Sequence, residues 1–338
     1  MADIYTHRIA VVIPVYLGET TLEALVAEIE PLTREFTSQD GNVGAIEEIL
    51  LVHDNGPDDS ARVIRELQAR MPQVRGIWLT RNFGQHAATL AGMASTGSDW
   101  IVTMDEDGQH NPADIPGMLD AALRERAHIV YASPSNVQPH GFLRGSASKL
   151  AKRIMTALFA DKLNSPTDYQ SFRLILGEVG RSVAAYAGSG VYLDVAMGWV
   201  TNRVTTTPVM LRAENREASG YSYRSLLSHF WRMVLSSGTR GLRAVSILGV
   251  VFAVVGMFFA IFFLIERLSG GNFPQGWTTV VVVLLLSSGA ILISLGIIAE
   301  YVGVAVNMAM GKPLYMIMND PKNGPLGHRQ SQKHQSKP

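Results

Sequence analysis

Residues 101–112, IVTMDEDGQHNP, decide how the rest of the chain is read. The segment opens with strand character in Ile101, Val102 and Met104, then breaks into Asp105-Glu106-Asp107-Gly108-Gln109. Alternate side chains of a strand share a face, so Asp105 and Asp107 are placed to point together from its end. Like charges at that spacing repel unless a cation lies between them. Hard carboxylate oxygens suit Mg2+ or Mn2+, which keep several waters and take up substrate phosphates. Gln109 offers a further, neutral oxygen, and Gly108 lets the backbone bend. Asn111-Pro112-Ala113-Asp114 then reads as a helix start: Asn as N-cap, Pro at the first helical position, an acid near the positive end of the dipole. A strand, an acidic corner and a helix start, in that order, place a site at the carboxyl end of a parallel sheet. An ordinary solvated turn has the same local sequence, so the reading depends on its surroundings.

Working back toward the N-terminus, strands and helices alternate. The continuous apolar run at 9–15 is short enough for a buried parallel strand, and residues 46–52, with Ile49, Leu50, Leu51 and Val52, and residues 74–79 read as the second and third strands. Between them, Leu22, Leu25, Val26 and Ile29 recur at helical spacing with Thr21 as a candidate cap, and residues 61–70 form a second helix capped by Asp59 or Ser60. The turn formers of residues 53–60, HDNGPDDS, close the second strand, and residues 80–86, TRNFGQH, lead from the third strand into a helix over 87–94. The pattern predicts an α/β domain with a mainly parallel sheet. Neither GxGxxG nor GxxxxGK[ST] occurs, so a nucleotide must be held through strand-end carboxylates and a metal.

Toward the C-terminus, a strand at 128–132 is followed by a Pro-, Ser- and Gly-rich loop and by a helix at 146–159 bearing Lys149, Lys152 and Arg153. A further strand is expected at 204–212. Residues 221–239 place Leu226, Leu227, Phe230, Trp231, Val234 and Leu235 at helical spacing beside Arg224 and Arg232, the pattern of an amphipathic helix in a membrane interface. Residues 244–265 and 280–299 are apolar runs long enough to cross a bilayer. Arg240, Arg243 and the basic residues after the second run put both flanks on the cytoplasmic side. The expected domains are therefore 1–220 catalytic, 221–239 interfacial, 240–301 a transmembrane hairpin, and 302–338 a cytoplasmic segment with a disordered tail from 321. The chain has no cysteine, which excludes disulfides, thiol nucleophiles and Cys-based zinc sites. Its formal net charge is +0, and no nucleic-acid partner is expected. No signal peptide is evident.

Taken in order, VVIPVY (11–16), VHDNGPDDS (52–60), RNFGQHAATLAGM (81–93), MDEDGQHNP (104–112), FLRGSASKLAKR (142–153), YQSFRL (169–174), SGYSYRSLL (219–227) and AEYVGVAVNMAMGKPLY (299–315) resemble the polyprenyl-phosphate glycosyltransferases of the inverting, A-type, DxD-bearing class. RNFGQH is most similar to the aminoarabinose-transferase branch. The resemblance implies a nucleotide-sugar donor, a polyprenyl phosphate acceptor, membrane lipid and a second copy of the chain as partners, and a multi-pass location in the cytoplasmic membrane. It implies that Pro14, Tyr16, Glu19 and Asp54 line the nucleotide pocket. Asp105 and Asp107 would hold Mg2+ or Mn2+, with Gln109 assisting. Arg144, Lys149, Arg173, Ser219 and Tyr221 would meet the acceptor phosphate or lipid. Several positions depart from the family's pattern. His53 stands in its acidic pair, Pro134 replaces an arginine, Ser171 replaces an acid found in some members, Gly220 replaces a lysine and Val304 an arginine. Asp168 is the acid nearest to Ser171, and a phosphate acceptor, already ionised, needs no general base. Two rival readings are a processive polysaccharide synthase, which lacks its Gln-x-x-Arg-Trp motif here, and a catalytically degenerate membrane partner.

Overall fold

The computed structural model describes residues 5–135, 171–188, 192–212, 276–311 and 313–323, together with Val254, Phe258, Ile261 and Ile265. The chain divides into two units, one formed by Met1–Gly188, Tyr192–Ser222 and Pro313–Pro338, the other by Ser189–Val191 and Tyr223–Lys312.

The first unit is built on a nine-stranded sheet. Its strands are β1 (Thr6–Val15), β2 (Phe36–Thr37), β3 (Val43–His53), β4 (Val74–Leu79), β5 (Trp100–Thr103), β6 (Ile129–Pro134), β7 (Arg173–Leu176), β8 (Val204–Val209) and β9 (Ile317–Met318). The order is β8-β6-β7-β5-β1-β3-β4-β9, with β2 paired antiparallel to β3. The pairs β1/β3, β1/β5, β3/β4 and β6/β8 are parallel, while β7 and β9 run against their neighbours. The helices are α1 (Leu22–Ile29), α2 (Ser60–Arg70), α3 (Gln85–Ala94), α4 (Ile115–Glu125), α5 (Gly177–Tyr186) and α6 (Leu193–Val200). Ile9, Val11, Ile13, Ile49, Leu51 and Val102 are buried and join one core with Leu22, Val26, Ile29 and Phe172. Burial on both faces is what makes residues 9–15 of β1 and 49–52 of β3 read as apolar runs.

The chain winds outward from β1 through β3 to β4, then returns to the other side of β1 as β5. The strand order reverses between β1 and β5, and the crevice beyond their carboxyl ends is where open α/β sheets bind ligands. The acidic turn 105–107 leaves β5 into this crevice, and the turn at Tyr16 leaves β1 into it.

Several local expectations change. β3 begins at Val43, three residues before the strand expected at 46–52. Thr21 and Asp59 occupy the N-cap positions of α1 and α2, but neither side chain makes a capping bond. The Ser60 hydroxyl instead accepts from Gly18 N–H at 2.8 Å and donates to Asp58 at 2.6 Å, so it serves the neighbouring loop. Asn111 does cap, accepting from Ala113 N–H at 3.2 Å, with Pro112 in the first turn that leads into α4. The expected C-terminal segment at 302–338 is described as far as Asn323, and the rest of the tail expected from 321 lies outside the described residues. Within the described part, β9 pairs with β4, and Asp320 grips the Arg65 guanidinium at 2.7 and 2.8 Å.

In the second unit, α7 runs over Trp277–Ala309, 33 residues, beyond both ends of the expected span at 280–299. Its backbone is described throughout and its side chains only in part. Among the described residues no helix is long and apolar enough to cross a membrane. Most of the expected span at 244–265 and all of the interfacial segment at 221–239 lie outside them.

Candidate active site

Strand β5 ends at Thr103, and residues 105–109 form a half-buried turn. The two acids therefore owe their placement to that turn, not to strand alternation. Gly108 adopts φ 75°, a conformation that costs glycine little and other residues more. Asp107 Oδ1 accepts from Gln109 N–H at 3.0 Å, which folds the turn back on itself. The Gln109 carbonyl in turn accepts from Arg212 N–H at 3.0 Å. Asp105 is held by side chains: Gln85 Nε2 donates to Oδ1 and the Ser171 hydroxyl donates to Oδ2. Its N–H donates to His110 Nδ1 at 3.2 Å. His110 is buried against Phe172, and burial pushes its pKa down against the pull of Asp105 and Asp107.

Among the described residues no three His, Cys, Asp or Glu side chains converge as a metal cage. The donors that are present fit a hard divalent cation. Asp105, Asp107 and the Gln109 amide offer oxygens only, and Mg2+ or Mn2+ bound to one or two carboxylates completes its shell with water and phosphate oxygens.

The loops after β1 and β3 meet beside this turn. Asp54 N–H donates to Val15 O at 2.8 Å, and a Cβ on Gly56 would lie 1.8 Å from Tyr16 O, so only glycine fits there. Glu19 N–H donates to Asp58 at 3.0 Å, and the Glu19 carboxylate accepts from Asp59 N–H at 3.2 Å. Pro14 lies in register with Val52, where a central strand can spare its missing N–H only near the end. Tyr16 is 41% exposed. Asp54 is 3% exposed and accepts from the N–H groups of Phe83 and Gly84 at 2.7 and 2.8 Å. Burial raises its pKa, and these two bonds and Arg81 oppose the rise. Both Asp54 oxygens thus hold the loop that leads into α3 and delivers Gln85 to Asp105.

Arg173, expected at a phosphate, is 5% exposed and grips Asp194 at 2.9 and 3.0 Å. Burial disfavours its charge, but the Asp194 carboxylate more than compensates, so its pKa rises. The Tyr131 hydroxyl donates to Asp194 at 2.9 Å, and Arg173 leans on Thr103 Oγ1 at 3.4 Å. Asp194 was not singled out from the sequence. It sits on an otherwise apolar helix, and its partner lies 21 residues earlier. The only available signal was an acid inside the run LDVAM. Asp168, Arg144, Lys149, Ser219 and Tyr221 lie outside the described residues.

Residues 10–180 match glycosyl transferase family 2. The undecaprenyl-phosphate 4-deoxy-4-formamido-L-arabinose transferase of Edwardsiella ictaluri is 29% identical over 326 residues, covering 94% of this chain and 96% of its own. The enzyme of the same name from Klebsiella pneumoniae is 28% identical over 316 residues, covering 92% of each chain. Among solved structures, mannosyl-3-phosphoglycerate synthase from Rubrobacter xylanophilus shares the fold with a TM-score of 0.50 at 14% identity, over 70% of this chain and 74% of its own. With a match that spans half of its length and contains the β1 and β5 ends of the sheet, the protein belongs to glycosyl transferase family 2.

Proposed function

We propose that the protein transfers a sugar, with inversion, from a nucleoside diphosphate sugar to a polyprenyl phosphate at the cytoplasmic face of a membrane. The observation that carries this reading is the acidic turn at the β1/β5 switch point, where the donors to the Asp105 carboxylate among the described residues are displaceable side chains. The names of the two relatives, both transferases acting on undecaprenyl phosphate, support the acceptor class. Their named sugar is not assigned to this chain.

In this reading Asp105, Asp107 and Gln109 hold Mg2+ or Mn2+, while Pro14, Tyr16, Glu19 and Asp54 shape the nucleotide pocket. The cation, when bound, neutralises charge that builds on the departing diphosphate. An acceptor phosphate oxygen attacks the anomeric carbon from the face opposite the diphosphate. The bond to the diphosphate oxygen breaks, and its electron pair leaves with that oxygen. No proton has to be removed from an ionised phosphate, so the hydroxyl of Ser171 suffices where some family members carry an acid. Asp168 is then dispensable as a base. The buried Arg173–Asp194 pair fixes the approach of β7 to β5, while Arg144, Lys149, Ser219 and Tyr221 receive the acceptor. Holding both reactants in one crevice supplies the orientation that free encounter lacks.

The membrane hairpin over 244–265 and 280–299 belongs to the same proposal, as does assembly with further copies of the chain. Val254, Phe258, Ile261 and Ile265 recur at helical spacing and are exposed, as are Val280, Leu284, Ile291, Leu295 and Ile298 on α7. Apolar stripes of that length are unusual on a surface facing water and suit lipid.

The test is incubation of the full-length protein with undecaprenyl phosphate, Mn2+ or Mg2+ and a panel of UDP- and GDP-sugars, reading labelled glycolipid. Metal-dependent product with one donor is expected. No product with any donor, or product undiminished by chelator, overturns the proposal.

A further inference from the structure

Between the two acids of the proposed metal pair stands Glu106, which points the other way. Its Oε2 accepts from Tyr16 N–H and its Oε1 from Leu17 N–H, each at 3.0 Å. Strand β1 ends at Val15, so these are the first two amides beyond the sheet on that edge. One carboxylate thus closes both of them, a charge-assisted, two-point contact.

The loop that it holds is fixed on its other side by backbone and by Ser60. Gly56 packs against the Tyr16 carbonyl with no room for a Cβ, and Gly18 N–H donates to Ser60 Oγ at 2.8 Å. Toward β5, a Cβ on Gly18 would come within 2.8 Å of Glu106 Oε2 and of the Leu22 side chain. The chain is drawn in close around this carboxylate. Tyr16 follows directly from the strand, so the bonds to Glu106 set the height and tilt from which its exposed ring projects.

We propose that Glu106 is a positioning residue that locks the loop after β1 onto the acidic turn after β5, and through Tyr16 sets the affinity for the nucleoside diphosphate part of the donor. This deepens the proposed function and rests on it, since it takes the β1 end to receive the nucleotide. It assigns to Glu106 no contact with cation or sugar. The carboxylate tunes binding by coupling the loop after β1 to the turn after β5. Both amides it serves lie at the surface, so water replaces the lost bonds and the fold remains.

The test measures binding of UDP and of GDP, each with Mn2+, to full-length wild type, Glu106→Gln and Glu106→Ala by calorimetry, with thermal melting and steady-state kinetics on the preferred donor. Glu106→Ala is expected to weaken nucleotide binding about tenfold, the effect of losing two exposed hydrogen bonds. Glu106→Gln keeps one acceptor and falls between Ala and wild type. The donor KM should rise by the same factor, with kcat at saturation reduced less than about threefold. Unchanged nucleotide affinity in Glu106→Ala overturns the inference and leaves the functional reading standing. Loss of affinity that tracks an equal loss of thermal stability in both variants also overturns it, in favour of a purely structural part. Wild type that binds neither nucleotide overturns the inference and the functional reading together.

Discussion

The carboxylates that follow β3 and β5 are both saturated, but by donors of different kinds. Asp54 is dry and takes two backbone amides, from Phe83 and Gly84. Asp105 is half-buried and takes a side-chain amide and a hydroxyl, from Gln85 and Ser171. A backbone N–H cannot leave without moving its loop, whereas rotamers of exposed side chains change on a picosecond to nanosecond scale. Asp54 is therefore a strut, whereas Asp105 is held by groups that can leave it. One residue type at the ends of nearby parallel strands is anchored in one case and exchangeable in the other, and the donor type distinguishes them.

The comparison breaks if the two acids respond alike to loss of charge. Asp105→Asn keeps the shape and weakens the grip on a divalent cation, so turnover should fall by about 10² or more, the scale of a lost transition-state electrostatic contact. Its melting temperature should stay within about 2 °C of wild type, because the amide can still meet Gln85 and Ser171. Glycolipid formation and thermal melting of one preparation decide this. Asp54→Asn should reverse the ranking. It turns one acceptor into a donor that faces a buried N–H, and should destabilise the fold by about 1–3 kcal/mol. Urea unfolding measures that loss, and turnover per folded molecule should fall less than in Asp105→Asn. Equal stability losses in the two variants would erase the distinction.

The same contrast explains what the sequence revealed. The parallel strands were legible because the apolar run at 9–15 and the apolar ends of the next two strands, residues 49–52 and 77–79, are packed into the sheet with almost no polar interruption. Asn111-Pro112 was legible because a cap is a local bond. Asp105, Asp107 and Gln109 share one turn, so their proximity was readable although the turn, not strand alternation, creates it. Asp54 was expected at the nucleotide, yet its oxygens serve Phe83 and Gly84, a bond across 29 and 30 residues that leaves no local trace. Glu106 was passed over for a similar reason, since its partners lie 89 and 90 residues away and are backbone. Strand β9 is only two residues long, and what fixes it is remote: Asp320 on Arg65, which also stacks over Trp78 at 4.8 Å. Arg173 was expected at a phosphate because nothing nearby in the sequence announces Asp194.

A finer division is available at Asp105 itself. If Ser171 only occupies Oδ2 until a cation takes it, Ser171→Ala removes a competitor. Turnover at saturating Mn2+ should then stay within about threefold of wild type, and half-saturation should come at about two- to threefold lower Mn2+, in line with the net worth of one neutral hydrogen bond. Mn2+ titration of the initial rate reads both quantities. A collapse of turnover as deep as that of Asp105→Asn would make the hydroxyl part of the chemistry and break the reading of Asp105's donors as exchangeable.

The smallest effect concerns the dryness of the β3 end. His53 is buried beside Trp78, with ring centroids 5.2 Å apart, and its Nε2 has no partner among the described residues. Burial lowers its pKa, Asp58 and Asp320 pull it up, and Arg65 pushes it down, with a net fall from 6.5. The folded state thus binds the His53 proton less readily than the unfolded chain does. Stability from this residue is complete above the unfolded pKa and is lost as pH falls from about 6.5 toward the lower folded value. Asp54 next to it has the opposite sign, its raised pKa favouring the folded state as the carboxylate range is reached. The His53 contribution should therefore be read above that range. Between about pH 7 and pH 5.5, the melting temperature of His53→Leu should fall less steeply than that of wild type. His7 and His110, whose pKa values burial also lowers, keep the variant's slope above zero. Identical slopes would mean that water reaches His53, and the β3 end would then be no drier than the turn that holds Asp105.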